Sequence, residues 1–371
     1  MKKLMRLLAI LAALTLVAAA CSSGATDATA TGDDDTEQTD DGGGDDGGDD
    51  DGGDDGGDDG GDDGGDDGGD DGGDDVEEVD AAQGTDLTFH VITHGDSGTF
   101  WSVVERAVSD ASAQFGVEVI YFGANNDAAA QSQAVEQAIA DGSDGIAISL
   151  ADPDGLESAA QAVVAAGIPL YTLNSGSNDF QRLGAVSHFG QDEFVAGQGA
   201  GNRFNDLGAT TVLCAFQEQS NVGLEERCNG LEDTFNGDVV SEFIGLDAEP
   251  EEQVSAIVAQ LSSNEAIDAV LGTGPNVPIR ALDAAESVGR EVIIGSFDLS
   301  EDLIEEIGAG NIAFTVDQQQ YLQGYLPVAF MFLQATNQNT AGGGNAILTG
   351  PGFVTPDNAE AVAALVGEGT R

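Results

Sequence analysis

The chain of 371 residues carries 68 acidic against 10 basic side chains, a formal net charge of −58 at pH 7. Lysine occurs only at Lys2 and Lys3, and the seven basic residues beyond Arg6 are all arginines. Neutralising nucleic-acid phosphates requires clustered basic groups, and their absence excludes a nucleic-acid partner.

Lys2, Lys3 and Arg6 precede an apolar run from Leu7 to Ala20, broken only by Thr15. The run is too short to span a bilayer and suits a signal peptide, so residues 1–20 are read as a segment removed on export. Val17-Ala18-Ala19-Ala20-Cys21 resembles the bacterial lipoprotein cleavage site, with Ala18 where a leucine is usual. The resemblance implies that Cys21 is diacylated and anchors the mature chain to a membrane; ordinary secretion is the alternative. Residues 21–82 then form a spacer whose core repeats Asp-Asp-Gly-Gly. Aspartates repel, glycine loses the most entropy on ordering, and nothing apolar occurs between Asp40 and Asp75, so this tract is expected to be disordered and extended. A calcium-binding solenoid would need apolar residues to stack, and no metal site is expected.

The remaining residues are enough for two lobes, each with its own core. Strands are expected at 87–93, 117–122, 144–150 and 168–173, alternating with helices at 100–115, 128–140 and 156–165. The grammar repeats after Gly190, with strands at 210–216, 239–244, 266–272 and 291–296 and helices at 222–235, 251–261, 278–287 and 301–307. Short apolar strands alternating with helices of three to four turns imply parallel sheets covered on both faces. In such sheets ligands bind outside the carboxyl ends of the strands. Thr93-His94, Asn174-Ser175, Gly272-Thr273-Gly274 and Asp298 all fall there.

Four segments, in order and spacing, carry a family resemblance: Asp144-Gly145-Ile146-Ala147-Ile148-Ser149, Ala166-Gly167-Ile168-Pro169-Leu170, Arg227-Cys228-Asn229-Gly230 and Gly295-Ser296-Phe297-Asp298. Residues 85–360 resemble the type I periplasmic sugar-binding proteins of ABC transporters, the ribose- and galactose-binding group. Val316-Asp317-Gln318-Gln319-Gln320-Tyr321 further resembles a lipoprotein-rich sugar or polyol branch. The resemblance implies an α/β fold of two Rossmann-like lobes joined by a three-crossover hinge, near 189–193, 316–320 and 346–352. Residues 83–190 plus 318–345 would form the N-terminal lobe and 191–317 plus 346–371 the C-terminal lobe, with a helix over 320–336.

By the same resemblance Phe100 and Trp101 would lie on the apolar face of a sugar ring. Arg227, Asp298, Asn174 and Gln318 would bond its hydroxyls, supplying both donors and acceptors. His94 and His188 stand near the same rim as further hydroxyl partners. Each also has a plainer reading: one of the aromatics as core, Arg227 as a solvated helix arginine, Asp298 as the cap of the helix from Glu301. Asn174-Ser175 replaces the Asp-Arg pair of many ribose-binding relatives, and Gly274-Pro275 replaces Asn-Asp. An acceptor and a donor are absent together, which points away from ribose and towards an inositol, a pentitol or a differently substituted hexose.

Cys214 and Cys228 lie in one βα unit, and in an oxidising compartment a disulfide between them is expected, with two buried free thiols as the alternative. Enzyme readings lack support. The glycine segments do not match a dinucleotide or phosphate loop, and His90, His94 and His188 form no zinc motif. The expectation is an extracytoplasmic, monomeric, cofactor-free receptor delivering a neutral monosaccharide or polyol to an ABC permease. A sensory receptor for chemotaxis or a kinase, or a binder of another small molecule, is the alternative.

Residues 81–371 hold 41 acidic side chains against seven arginines. The screening length falls from about 10 Å at about 0.1 M salt to about 3 Å at about 1 M, which silences repulsion between neighbouring carboxylates. The urea midpoint of residues 81–371 is therefore expected to rise markedly between about 0.1 and 2 M sodium chloride. Equal midpoints would leave the acidity without a role in stability.

Overall fold

The computed structural model describes residues 86–96, 98–245 and 248–371; the leader, Cys21 and the Asp-Gly tract lie outside the described residues. The first series runs β1 (Thr88–Thr93), α1 (Gly98–Phe115), β2 (Glu118–Gly123), α2 (Ala128–Ala140), β3 (Gly145–Ser149), α3 (Glu157–Ala165), β4 (Leu170–Leu173) and β5 (His188–Gln191). The second runs α4 (Glu193–Leu207), β6 (Thr211–Phe216), α5 (Val222–Thr234), β7 (Asp238–Phe243), α6 (Pro250–Ser263), β8 (Ala269–Gly272), α7 (Val277–Val288), β9 (Ile293–Phe297), α8 (Glu301–Ala309) and β10 (Phe314–Asp317). The chain closes with α9 (Gln320–Asn337), β11 (Ile347–Gly350), β12 (Gly352–Val354) and α10 (Ala359–Gly367).

Two six-stranded sheets result, ordered β11-β5-β4-β3-β1-β2 and β12-β10-β9-β8-β6-β7, all parallel except the β10–β12 pair. Strand alternation sends successive side chains to opposite faces. Phe89 and Val91 of β1 therefore join Tyr171, Phe189 and Val328 on one face, while Ile92 joins Ile146, Ile148 and Leu170 on the other. In the second lobe Leu213 and Ala215 face one core and Val212 and Cys214 the other. Both sheets are thus covered on both sides, as continuous apolar strands require.

The chain crosses between the sheets three times: at Asp192 after β5, at Gln318-Gln319 after β10, and at the cis Gly350–Pro351 bond between β11 and β12. The third crossing corrects the expected lobe boundary, because 347–350 pair with β5 in the first sheet instead of belonging to the C-terminal lobe. The crossings press together. A side chain at Gly350 would meet the Asp317 carbonyl and Gln191 Oε1, each at 3.0 Å. Thr349 Oγ1 donates to the Gln318 carbonyl at 2.7 Å, and Gln319 Nε2 donates to the Thr349 carbonyl at 2.5 Å.

α4 was not expected from the sequence, because Gly197, Gly199 and Gly201 depress helix propensity. Packing explains it. Gly197 lies against the Arg227 carbonyl of α5 and Gly230 against the Phe194 carbonyl of α4, leaving no room for a Cβ at either site. Asp192 caps α4 by accepting from Val195 N–H at 3.0 Å, Gly208 ends it in the left-handed region, and Asn221 caps α5. This close approach places Glu193, the first residue of α4, beside Arg227.

Glycine to alanine on an exposed helix stabilises by about 1 kcal/mol. At Gly230 the sign is expected to reverse: a methyl there would overlap the Phe194 carbonyl and push α4 and α5 apart, costing about 1–3 kcal/mol. Urea unfolding of Gly230→Ala checks this, and a midpoint at or above wild type contradicts it.

Candidate functional site

The carboxyl ends of both sheets face one cavity of about 390 Å³. From the first lobe it is lined by His94, Phe100, Trp101, Asn125, Asn126 and Asn174. The second lobe contributes Gln217, Glu218, Arg227, Arg280 and Asp298, and Gln318 comes from the second crossing. The lobes touch along one edge, where Val222 N–H donates to the Ala151 carbonyl at 3.0 Å and Ser175 Oγ donates to Asn221 Oδ1 at 3.0 Å.

Arg227 is 3% exposed, so it is not the solvated helix arginine that is its plainer reading. Its Nε and Nη2 donate to the two oxygens of Glu193 at 2.6 and 3.0 Å, and Nη1 donates to the Thr273 carbonyl at 2.6 Å. Asp298 Oδ2 lies 3.5 Å from Nη1, and the Phe297 ring lies 4.5 Å below the guanidinium. Burial pushes the Glu193 and Asp298 carboxyls up, and Arg227 opposes that shift in both. Burial also works against the guanidinium's charge, but the two carboxylates outweigh it and raise its pKa. The bidentate geometry keeps the Glu193–Arg227 pair ionised. Gln191 Nε2 donates a further bond to Glu193 Oε2 at 2.8 Å.

Asp298 is free of capping duty, because Ser300 Oγ accepts from Leu303 N–H at 3.2 Å to cap α8. Its Oδ1 accepts from Gln318 Nε2 at 2.5 Å, while Asn174 Nδ2 approaches Gln318 Oε1 at 3.4 Å. Asn174, Asp298, Asn125 and Asn126 adopt φ of 66°, 69°, 50° and 58°. Asn and Asp are the residues other than glycine that most readily adopt left-handed backbone, and four of them do so around this cavity.

Phe100 and Trp101 open α1, 9% and 8% exposed, with ring centroids 4.9 Å apart at 77°. Both line the cavity and both join the apolar core, so the core and ligand readings coexist in each. Gly95 admits the indole against the backbone, since a Cβ there would overlap Trp101 Nε1.

His188 is a correction. It lies in β5, wholly buried beneath the Asn174 turn rather than at the rim, with Nδ1 2.9 Å from Thr172 Oγ1 and its ring stacked on Phe180. β5 was not expected as a strand, and the pleat turns this side chain inward. Cys214 of β6 and Cys228 of α5 form the expected disulfide, with Cα atoms 5.9 Å apart. Reading the sequence alone missed Glu218, Gln217, Asn221 and Arg280. Arg280 carried a signal as one of seven arginines beyond the leader, on the helix after Gly272-Thr273-Gly274. Its Nε is buried with no partner among the described residues.

Residues 89–339 match the model of the periplasmic binding protein domain. A carbohydrate transporter from Acidothermus cellulolyticus, solved in complex with myo-inositol, is 36% identical, with a TM-score of 0.75 over 77% of this chain and 100% of that one. The chain belongs to the periplasmic binding protein domain family. A xylose/arabinose-binding protein of Sulfolobus acidocaldarius is 24% identical over 72% of this chain and 70% of that protein. A periplasmic sugar-binding protein of Legionella pneumophila, at 20% identity and a TM-score of 0.66 over 71% of this chain and 99% of that one, shares the fold. The two lobes match the type I periplasmic-binding-protein architecture, and the family binds solutes without catalysis.

Burial, opposed by the neighbouring Asn174 backbone carbonyl, lowers the His188 pKa from 6.5 to about 4. The unfolded state therefore binds the extra proton between those values. Stability from the neutral ring is complete above about pH 6.5 and lost as pH falls towards about 4, by up to about 1.4 kcal/mol per pH unit. The urea midpoint of wild type is expected to drop more steeply over this window than that of His188→Gln. Identical slopes would show that His188 does not titrate there.

Proposed function

We propose that this protein is an extracytoplasmic receptor, anchored through Cys21, that binds a neutral cyclitol or monosaccharide and delivers it to an ABC import permease. The observation that carries the reading is the relative of 36% identity, matched over its whole length and solved with myo-inositol, set beside a cavity of compatible chemistry. Phe100 and Trp101 offer apolar surface to the C–H face of a ring. Asn174, Gln318 and Asp298 offer hydroxyls both donors and acceptors, and Arg280 adds an uncommitted donor. The Arg227 charge is already answered by Glu193 and Asp298, so that side chain is held as part of the cavity wall.

Ligand contacts to both lobes would favour the closed state, which the permease reads, and the three narrow crossings give closure a hinge. The leader and the Asp-Gly tract support an anchored receptor held on a long tether. As a monomer the protein needs no second copy to complete the cavity.

A thermal-shift screen of the full chain against myo-inositol, other inositols, pentitols, xylose, arabinose and hexoses tests the ligand class. A ligand at 100 times its Kd stabilises by about 2.7 kcal/mol, so one cyclitol or monosaccharide is expected to raise Tm by several degrees. A flat response across the whole panel would remove the reading.

A further inference from the structure

His94 follows β1 at the mouth of the cavity and is 6% exposed. We propose that Ser149, at the end of β3, fixes the His94 proton on Nε2, so that His94 and Glu218 form a donor and acceptor pair, one from each lobe, reading a single ligand hydroxyl. The inference rests on the reading of the cavity as a polyol site.

A hydroxyl has one proton to give and two lone pairs to receive with. The His94 backbone N–H, which can only donate, reaches Ser149 Oγ at 2.7 Å, and Gln131 Nε2 makes a longer approach at 3.4 Å. Those two donors occupy the accepting side of Oγ. Its own proton has one acceptor among the described residues, His94 Nδ1, also at 2.7 Å. Were Nδ1 protonated instead, three donors would crowd one oxygen and the Ser149 proton would have no partner. Burial lowers the His94 pKa and so disfavours the doubly protonated ring. The proton therefore stands on Nε2.

The ring is held in place from other directions. Trp101 meets it edge to face at 4.8 Å, and Asn126 N–H donates to the His94 carbonyl at 2.6 Å. Gln131 Nε2 anchors the Ser149 carbonyl at 2.9 Å. Nε2 thus lies 3.7 Å across the lobe boundary from Glu218 Oε2. That is too long for a direct hydrogen bond; a ligand hydroxyl lying to one side of the line between them, about 2.8 Å from each atom, would accept from Nε2 and donate to the carboxylate. Asn221 Nδ2 donates to the same Glu218 oxygen at 2.7 Å and steadies it. Ser149 is a positioning residue; His94 and Glu218 would touch the ligand and register closure, because one hydroxyl satisfies both only when the lobes meet.

The test uses the full chain labelled with ¹⁵N-histidine, with His94 assigned by its loss in His94→Gln. Long-range ¹H–¹⁵N spectra are expected to show a neutral His94 protonated on Nε2, and Ser149→Ala is expected to populate the other tautomer. A wild-type ring protonated on Nδ1, or a tautomer unmoved in Ser149→Ala, overturns the inference. Titration with myo-inositol as the probe supplies the second arm. His94→Leu and Glu218→Ala are each expected to weaken binding about 5- to 10-fold, and Ser149→Ala about 2- to 5-fold. The double variant His94→Leu/Glu218→Ala should lose little more than either single one, since both lose the same hydroxyl; multiplicative losses overturn the shared contact. Failure of wild type to bind any polyol, with the Nε2 tautomer intact, would sink the functional reading and leave the role of Ser149 standing.

Discussion

The buried pair of Arg227 and Glu193 organises the second lobe's side of the cavity. Two charges have been taken out of water, which is favourable only if every donor and acceptor finds a partner. The structure supplies those partners from separate elements: Glu193 from the start of α4, Gln191 from β5, Thr273 from the turn after β8, Asp298 from the turn after β9. One side chain thereby fixes the relative placement of four segments, and removing one partner of such a buried pair typically costs about 3–5 kcal/mol. The glycine-lined contact of α4 with α5 exists in service of that pairing, since Glu193 reaches Arg227 only when the helices lie almost backbone to backbone.

The same network joins the site to the hinge. Gln318 lies on the second crossing, donates to Asp298 of one lobe and meets Asn174 of the other. Its carbonyl accepts from Thr349 of the third crossing, and Gln323 Nε2 donates to Gln318 Oε1 at 2.8 Å. A ligand engaging Asp298 or Asn174 would thus act on groups already bonded to the segments that cross between the lobes. On the proposed function, binding and closure would share these residues, which gives differential contact between open and closed states a direct physical route.

The net charge and the site belong to different scales. The acidity is spread over the surface and acts through long-range repulsion that salt screens. Glu193 and Asp298, by contrast, are buried beside Arg227, and there desolvation and the neighbouring guanidinium act on the carboxyls in opposite directions. A chain with so few arginines nevertheless places two of them, Arg227 and Arg280, at one cavity.

Much of this was legible in the residues. Apolar runs alternating with amphipathic helices determined the two α/β lobes, because strand and helix periodicity are local properties. The polar residues after those runs marked the cavity, because in parallel sheets the strand ends are where the backbone turns and opens. Arg227, Asp298, Asn174, Gln318, Phe100, Trp101 and His94 all line that cavity or its hinge side. What the sequence could not show depended on contacts distant along the chain. β5, β10 and β11 were not read as strands, so the inward turn of His188 and the pairing of β11 with the first sheet appeared only with the sheet topology. α4 reads as a poor helix by itself and is stabilised by α5. Glu218 faces His94 only because the lobes meet: the sequence determined the lobes and the character of the cavity's walls, and the tertiary structure decided which donors face which acceptors across it, since that is a matter of distances between segments rather than of any segment's own chemistry.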